Sequence, residues 1–170
     1  TAKISAKAVR DFAITLSSNS KIISDDVDDT KVFYMGYNSD TEFNKYLKIS
    51  KEAVKYFEEK FGDYPYSTLS VVKTPFIYGG MEYPNLVLVS DKVAEKDYNY
   101  VIVHEIAHQW WYGVVGNDQY NHAWLDEGLA EYSTLLFFRQ HKEYGENFEE
   151  MLANAESSYK LFVKIYTKVN

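Results

Sequence analysis

Between Thr41 and Phe61 the apolar residues Phe43, Leu47, Val54 and Phe57 return near helical spacing, with glutamates and lysines between them and Gly62 as a stop. The spacing predicts an amphipathic helix whose charges form a solvated face. On either side the pattern changes. Residues 11–16 and 31–35 have the alternating or β-rich character of strands, while residues 17–20 and the acidic patch 25–29 read as turns. The patch lacks the ligand spacing and terminal glutamate of an EF-hand, so it reads as a solvated turn rather than a calcium loop. Residues 69–73 and 86–90 form two more strand-like runs, separated by residues 76–84. A helix is predicted over 97–115, ending toward Gly113 or Gly116, followed by a polar loop over 117–121. A second helix is predicted over 123–141, and helical pattern continues from Glu143 to about Lys168. Strands come first and helices second, which gives an α+β class with a mixed sheet followed by a mainly helical part. No internal repeat is present.

The helix predicted over 97–115 carries His104-Glu105-Ile106-Ala107-His108, and Glu127 follows inside Trp-Leu-Asp-Glu-Gly. Residues four apart on a helix have β-carbons about 5–6 Å apart, so two imidazoles can converge on one ion. A catalytic zinc takes nitrogen ligands at about 2.0–2.1 Å and keeps three protein ligands, leaving one position open. Glu127 is the natural third. At about 100° per residue, Glu105 lies about 60° around the helix from His108, beside the ligand face, where it can reach a water without capturing the metal. Two such histidines also occur as surface residues or as a hydrogen-bonded core pair. Here Tyr100, Val101, Ile102 and Val103 precede the motif, and Ile106, Ala107, Trp110 and Trp111 interleave with it. Polar groups on so apolar a helix need partners, and a metal supplies one. The sequence thus implies one Zn2+, although the ligand types also admit cobalt or manganese. The site falls where two helices face each other.

Composition narrows the function without choosing it. The chain is one domain of ordinary size, 170 residues with 46% apolar content, enough for a real core. Its 17% aromatic share, with sixteen tyrosines, suits a packed domain. A net charge of −7 with scattered lysines argues against nucleic acid and against an anionic membrane surface. No apolar run is long enough to span a membrane and no signal peptide is recognised, so no membrane contact is expected from this segment. Without cysteines the ligands must be histidine and carboxylate, and the compartment stays open. Thr1 stands where an initiator methionine would, and the chain is read as a piece of a longer protein.

Two motifs resemble the gluzincin metallopeptidases, and more closely the aminopeptidase N family with its leukotriene hydrolase-like members. Residues 104–111 with residues 124–132 are similar to that family's zinc signature. Gly79-Gly80-Met81-Glu82-Tyr83, upstream in the expected order, is similar to its exopeptidase motif, usually written Gly-Ala-Met-Glu-Asn. The resemblance implies a thermolysin-like catalytic domain over residues 38–170, truncated at its C-terminal end, with residues 1–37 as the tail of a preceding β-rich domain. It implies zinc on His104, His108 and Glu127, with Glu105 as general base and proton shuttle, the assignments reached above from the residues. It also implies that Glu82 binds the free α-amino group of a peptide substrate, while Gly79, Gly80 and Met81 let its backbone approach along a strand edge. Taken alone, that segment reads as a glycine turn followed by a surface glutamate.

Tyr83, followed by Pro84, departs from the pattern where the family's asparagine would hold the segment. This leaves aminopeptidase specificity less determined than peptidase chemistry. Glu131, one turn after Glu127, is placed to orient a histidine ligand from behind; Asp126 points to another face, and His122 and His141 are not ligands. The family's oxyanion tyrosine lies farther downstream than this chain extends, and by family spacing neither Tyr144, Tyr159 nor Tyr166 replaces it. The expectation is a chain that binds zinc but turns over slowly. The alternative is a non-catalytic zinc-containing module that grips peptide termini without cutting them; within the enzyme class, endopeptidase and epoxide-hydrolase chemistry stay open.

Overall fold

The computed structural model describes residues 4, 5 and 7–166, with the side chains of Phe162, Ile165 and Tyr166 left aside. Its centre is a five-stranded mixed sheet in the order β1-β2-β3-β5-β4. β1 (Ser20–Val27) and β2 (Thr30–Tyr37) form an antiparallel hairpin around Asp28 and Asp29, and Asp28 takes a positive φ of 45°. The chain then crosses through helix α1 (Phe43–Phe61) to β3 (Thr68–Thr74), which runs parallel to both β2 and β5 (Leu86–Ser90). The short β4 (Gly80–Met81) closes the far side of the sheet, antiparallel to β5, with Gly80 opposite Val89 and Met81 opposite Leu88. Residues 20–37 therefore share one sheet with residues 68–90.

Helices α2 (Glu95–Ala107), α3 (Gln119–His122), α4 (Trp124–Gln140) and α5 (Phe148–Tyr166) follow. The core lies where sheet and helices meet. Val32, Leu69, Val71, Val87 and Val89 of the sheet, Ile49, Ala53, Val54 and Phe57 of α1, Ile102, Val103 and Ile106 of α2, and Phe137 and Phe138 of α4 are wholly buried. Apart from Ala53, each such side chain contributes about 1.5–3 kcal/mol through burial, so the helix carrying the histidines is fixed from three sides. Among the described residues no helix is long and apolar enough to cross a membrane.

Three sequence expectations need correcting. Residues 11–16 form no strand: Phe12, Ile14 and Leu16 are exposed, Leu16 to 91%, because alternation makes a strand only where a neighbour completes its ladder. Conversely, residues 20–27 pair fully with β2, although residues 20 and 25–27 read as turns. β1 is an edge strand with little inward-facing apolar surface, so its polar side chains hid it.

The metal-motif helix also stops at Ala107 rather than near Gly113. Beyond it the backbone widens, with Gly113, Val114 and Val115 donating to the carbonyls of His108, Gln109 and Trp110, each five residues back. Tyr112 there has a φ of 133°, and a Cβ on Gly113 would collide with the Gln109 carbonyl, so the wide turn needs that glycine. α1, α4 and α5 lie close to their predicted spans, and the polar loop over 117–121 contains the short α3, capped by the Asp118 carboxylate.

Candidate metal centre

His104 lies on the last turn of α2, and His108, with helical φ and ψ, caps its end, so the four-residue spacing brings both rings to one face. α4 crosses opposite and presents Glu127 from its first turn. His104 Nε2 lies 3.2 Å from His108 Nε2 and 3.2 Å from Glu127 Oε2, and His108 Nε2 lies 3.5 Å from the same oxygen. These are close to the edges of a tetrahedron with bonds of about 2.0–2.1 Å, which measure about 3.3–3.4 Å. The donor set therefore fits a zinc-sized ion.

The far side of each ring is also arranged. His108 Nδ1 is 3.0 Å from the Trp111 carbonyl, which accepts its proton and leaves Nε2 as the lone-pair nitrogen. His104 Nδ1 is buried and faces Glu131 Oε2 at 3.5 Å without a well-formed hydrogen bond; the Tyr100 hydroxyl donates to that same oxygen. Glu131 thus stands behind His104. Burial works against a charged His104, but Glu127 and Glu131 outweigh it and push its pKa up to about 10. The two histidines hold Glu127 well below the usual carboxylate range.

Glu105, 7% exposed, points beside the triad. Burial raises its pKa to about 7 against the pull of both histidines. A Cβ on Gly80 would run into its carboxylate, so the glycine of the upstream motif and the carboxylate of the helix motif are in contact. The Gly79 carbonyl accepts from the Ser90 amide at 2.9 Å, Met81 pairs with Leu88, and among the described residues the other edge of β4 has no partner strand. Glu82 is 7% exposed and follows directly.

Gln109, next to His108 and wholly buried, holds this segment in place. Its Oε1 accepts from the Asn85 amide at 2.9 Å, and its Nε2 donates to the Tyr83 carbonyl at 3.2 Å and, more weakly, to the Glu82 carbonyl at 3.4 Å. Tyr83 is thus anchored through its backbone, a contact that does not require the asparagine it replaces. Gln109 has no assigned role in the sequence reading; a glutamine inside an apolar run is the available signal.

Sequence reasoning also missed a polar group on the α4 side. Asp126, 3% exposed, accepts from Asn117 Nδ2 at 2.7 Å and from Gln119 Nε2 at 2.8 Å, and the same Gln119 nitrogen donates to Glu82 Oε1 at 2.9 Å. His122 is exposed and His141 stacks on Phe137 at 4.3 Å, both apart from the triad. The Tyr144 hydroxyl donates to Glu52 and Tyr159 is 69% exposed; the Tyr166 side chain lies outside those described. A cleft of about 1440 Å³ between α2 and α5 meets the site only through Tyr100 and Glu131.

These elements match known proteins. A profile of the Peptidase family M1 domain matches residues 45–164. Leukotriene A-4 hydrolase of Xenopus laevis is 33% identical over 108 residues, covering 61% of this chain and 17% of that protein. Aminopeptidase B of Homo sapiens is 33% identical over 107 residues, 58% of this chain and 16% of that protein. The chain thus spans about a sixth of the length of these curated relatives. An M1 zinc metallopeptidase from Deinococcus radiodurans superposes with a TM-score of 0.60 at 19% identity, over 84% of this chain and 33% of that one, a likeness of fold. With the profile covering most of its length, this chain belongs to peptidase family M1.

Proposed function

We propose that this chain is the metal-bearing part of a zinc-dependent aminopeptidase, with one zinc held by His104, His108 and Glu127. The triangle of donor atoms at 3.2, 3.2 and 3.5 Å is the observation that carries the reading. Residues 38–170 form a thermolysin-like unit in this proposal and residues 1–37 belong to a preceding β-rich domain, its last hairpin extending the sheet. When bound, the zinc supplies a Lewis acid and lowers the pKa of a coordinated water toward about 7.

The chain's own groups do the rest. Glu105 takes the water's proton onto its carboxylate and passes it to the departing amine. Trp111 and Glu131 hold the two imidazoles in orientation from behind. Glu82 receives the α-ammonium of the peptide while its backbone lies along the edge of β4 at Gly79, Gly80 and Met81. A free amino terminus is then what directs cleavage to the first peptide bond. The proposal gives no described residue the part of oxyanion donor, and loss of one such donor typically costs about 10²–10³ in turnover, so slow cleavage of aminoacyl anilides by this chain is part of the reading.

Elemental analysis after zinc loading tests the metal assignment. One zinc per chain is expected, lost in His108→Ala and kept in Glu105→Gln; zinc retained in His108→Ala contradicts it. Substrates with free and acetylated amino termini test the Glu82 assignment, because only the free ones are cleaved in a Glu82-dependent way.

A further inference from the structure

The proposed chemistry gives Asp126 no task, yet it is more deeply buried than Glu82. Oxygens of the two carboxylates lie within 4.8 Å of each other. Among the described residues no lysine or arginine forms an ion pair with either. A ring nitrogen of His108, which belongs to the proposed metal triad, lies within 4.8 Å of both. Two buried carboxylates this close are costly unless a cation or a set of donors lies between them. Here one amide nitrogen does. Gln119 Nε2 spans Glu82 Oε1 at 2.9 Å and Asp126 Oδ2 at 2.8 Å, one hydrogen to each, while Asn117 holds the other Asp126 oxygen.

That arrangement has the dimensions of an ammonium site. A tetrahedral nitrogen donating two hydrogen bonds of about 2.8 Å spans acceptors about 4.6 Å apart. The Gln119 nitrogen occupies the point such a group would take. It is also easily moved, since α3 has four residues, none of them buried, and Tyr120 beside Gln119 is fully exposed. An ammonium offers the same two donors with a full positive charge, so it competes favourably for the pair.

We propose that Asp126 is the second carboxylate of the amine subsite, and that Gln119 holds the place of the substrate's α-ammonium between Glu82 and Asp126 until the substrate displaces it. This rests on the reading of Glu82 as the amine receptor and extends it. The ligand class is a primary ammonium at a peptide terminus.

The test is binding of L-leucinamide and N-acetyl-L-leucinamide to the zinc-loaded chain, followed by NMR titration. Tighter binding of leucinamide by the unsubstituted chain, lost in Glu82→Gln, establishes the amine reading; no preference overturns that reading and this one together. Given the preference, Asp126→Asn weakens leucinamide about tenfold and leaves the acetylated probe unchanged. Gln119→Ala tightens leucinamide severalfold, an effect that loss of a merely structural contact does not produce. Unchanged leucinamide binding in Asp126→Asn, or weaker binding in Gln119→Ala, overturns the proposal. Thermal melting checks that each variant folds, and should Asp126→Asn fail to fold, the substitution on the exposed α3 decides.

Discussion

The two helices that meet at the proposed metal triad are held in opposite ways. α2 is packed into the core, and the side chains of His104 and His108 are only 16% and 1% exposed. α4 is buried toward its end at Phe137 and Phe138, but its first turns expose Trp124, Leu129 and Tyr132, and the Glu127 side chain is 54% exposed. The tie between these turns and the α2 side comprises Trp111 Nε1, just past α2, donating to Ser133 Oγ at 2.8 Å, and the Tyr100 hydroxyl of α2 donating to Glu131. The histidine half is therefore formed before metal arrives, whereas the carboxylate half relies more on the metal and on that tie.

Substitutions in the rigid half should therefore weaken metal binding most. His108→Ala should reduce zinc affinity by well over the about 10–100-fold that loss of an outer partner costs, as read by competition with a chelator. Glu131→Gln, which leaves the His104 ring without its carboxylate, should fall within that about 10–100-fold range. A Glu131→Gln effect equal to that of His108→Ala would break the comparison, because orientation would then matter as much as ligation.

Acidity acts on the same half. The metal-free His104, with its pKa raised to about 10, carries a proton at neutral pH that zinc must displace. Affinity therefore falls as pH falls below that value, about tenfold per unit for each proton displaced, and calorimetry in buffers of different ionisation enthalpy should detect proton release on loading. His108 is raised as well and steepens the dependence in the same direction. The smallest expected effect sharpens the comparison from the other side. Ser133→Ala removes the tie from Trp111 and should cost about 0.5–1.5 kcal/mol of stability in the metal-free chain, less once zinc clamps the helices together.

What could be read from the sequence follows the distance over which each feature is determined. His104, Glu105 and His108 lie within five residues on one helix, so their shared face follows from its period alone. α1 was equally legible, because its apolar stripe and terminal glycine are local. Strand pairing is not local: residues 11–16 alternate without joining the sheet, and β1 joins it with few apolar residues, because partners distant in sequence decide both. The end of α2 was misplaced because a wide turn at Tyr112 and Gly113 follows apolar residues that still read as helix. Gln119 shows the limit most clearly. Its contact with Glu82 spans 37 residues and exists only because α3 folds back toward β4.

In the proposed hydrolysis the metal on His104, His108 and Glu127 and the buried base Glu105 act together. Turnover of an aminoacyl anilide by the protein and by its Glu105→Gln variant, with zinc content measured in both, is the decisive comparison. One zinc per chain is expected in each, with turnover lower by about 10²–10⁴-fold in the variant. Peptide binding without cleavage in the unsubstituted protein, or undiminished turnover in the zinc-loaded variant, would contradict it.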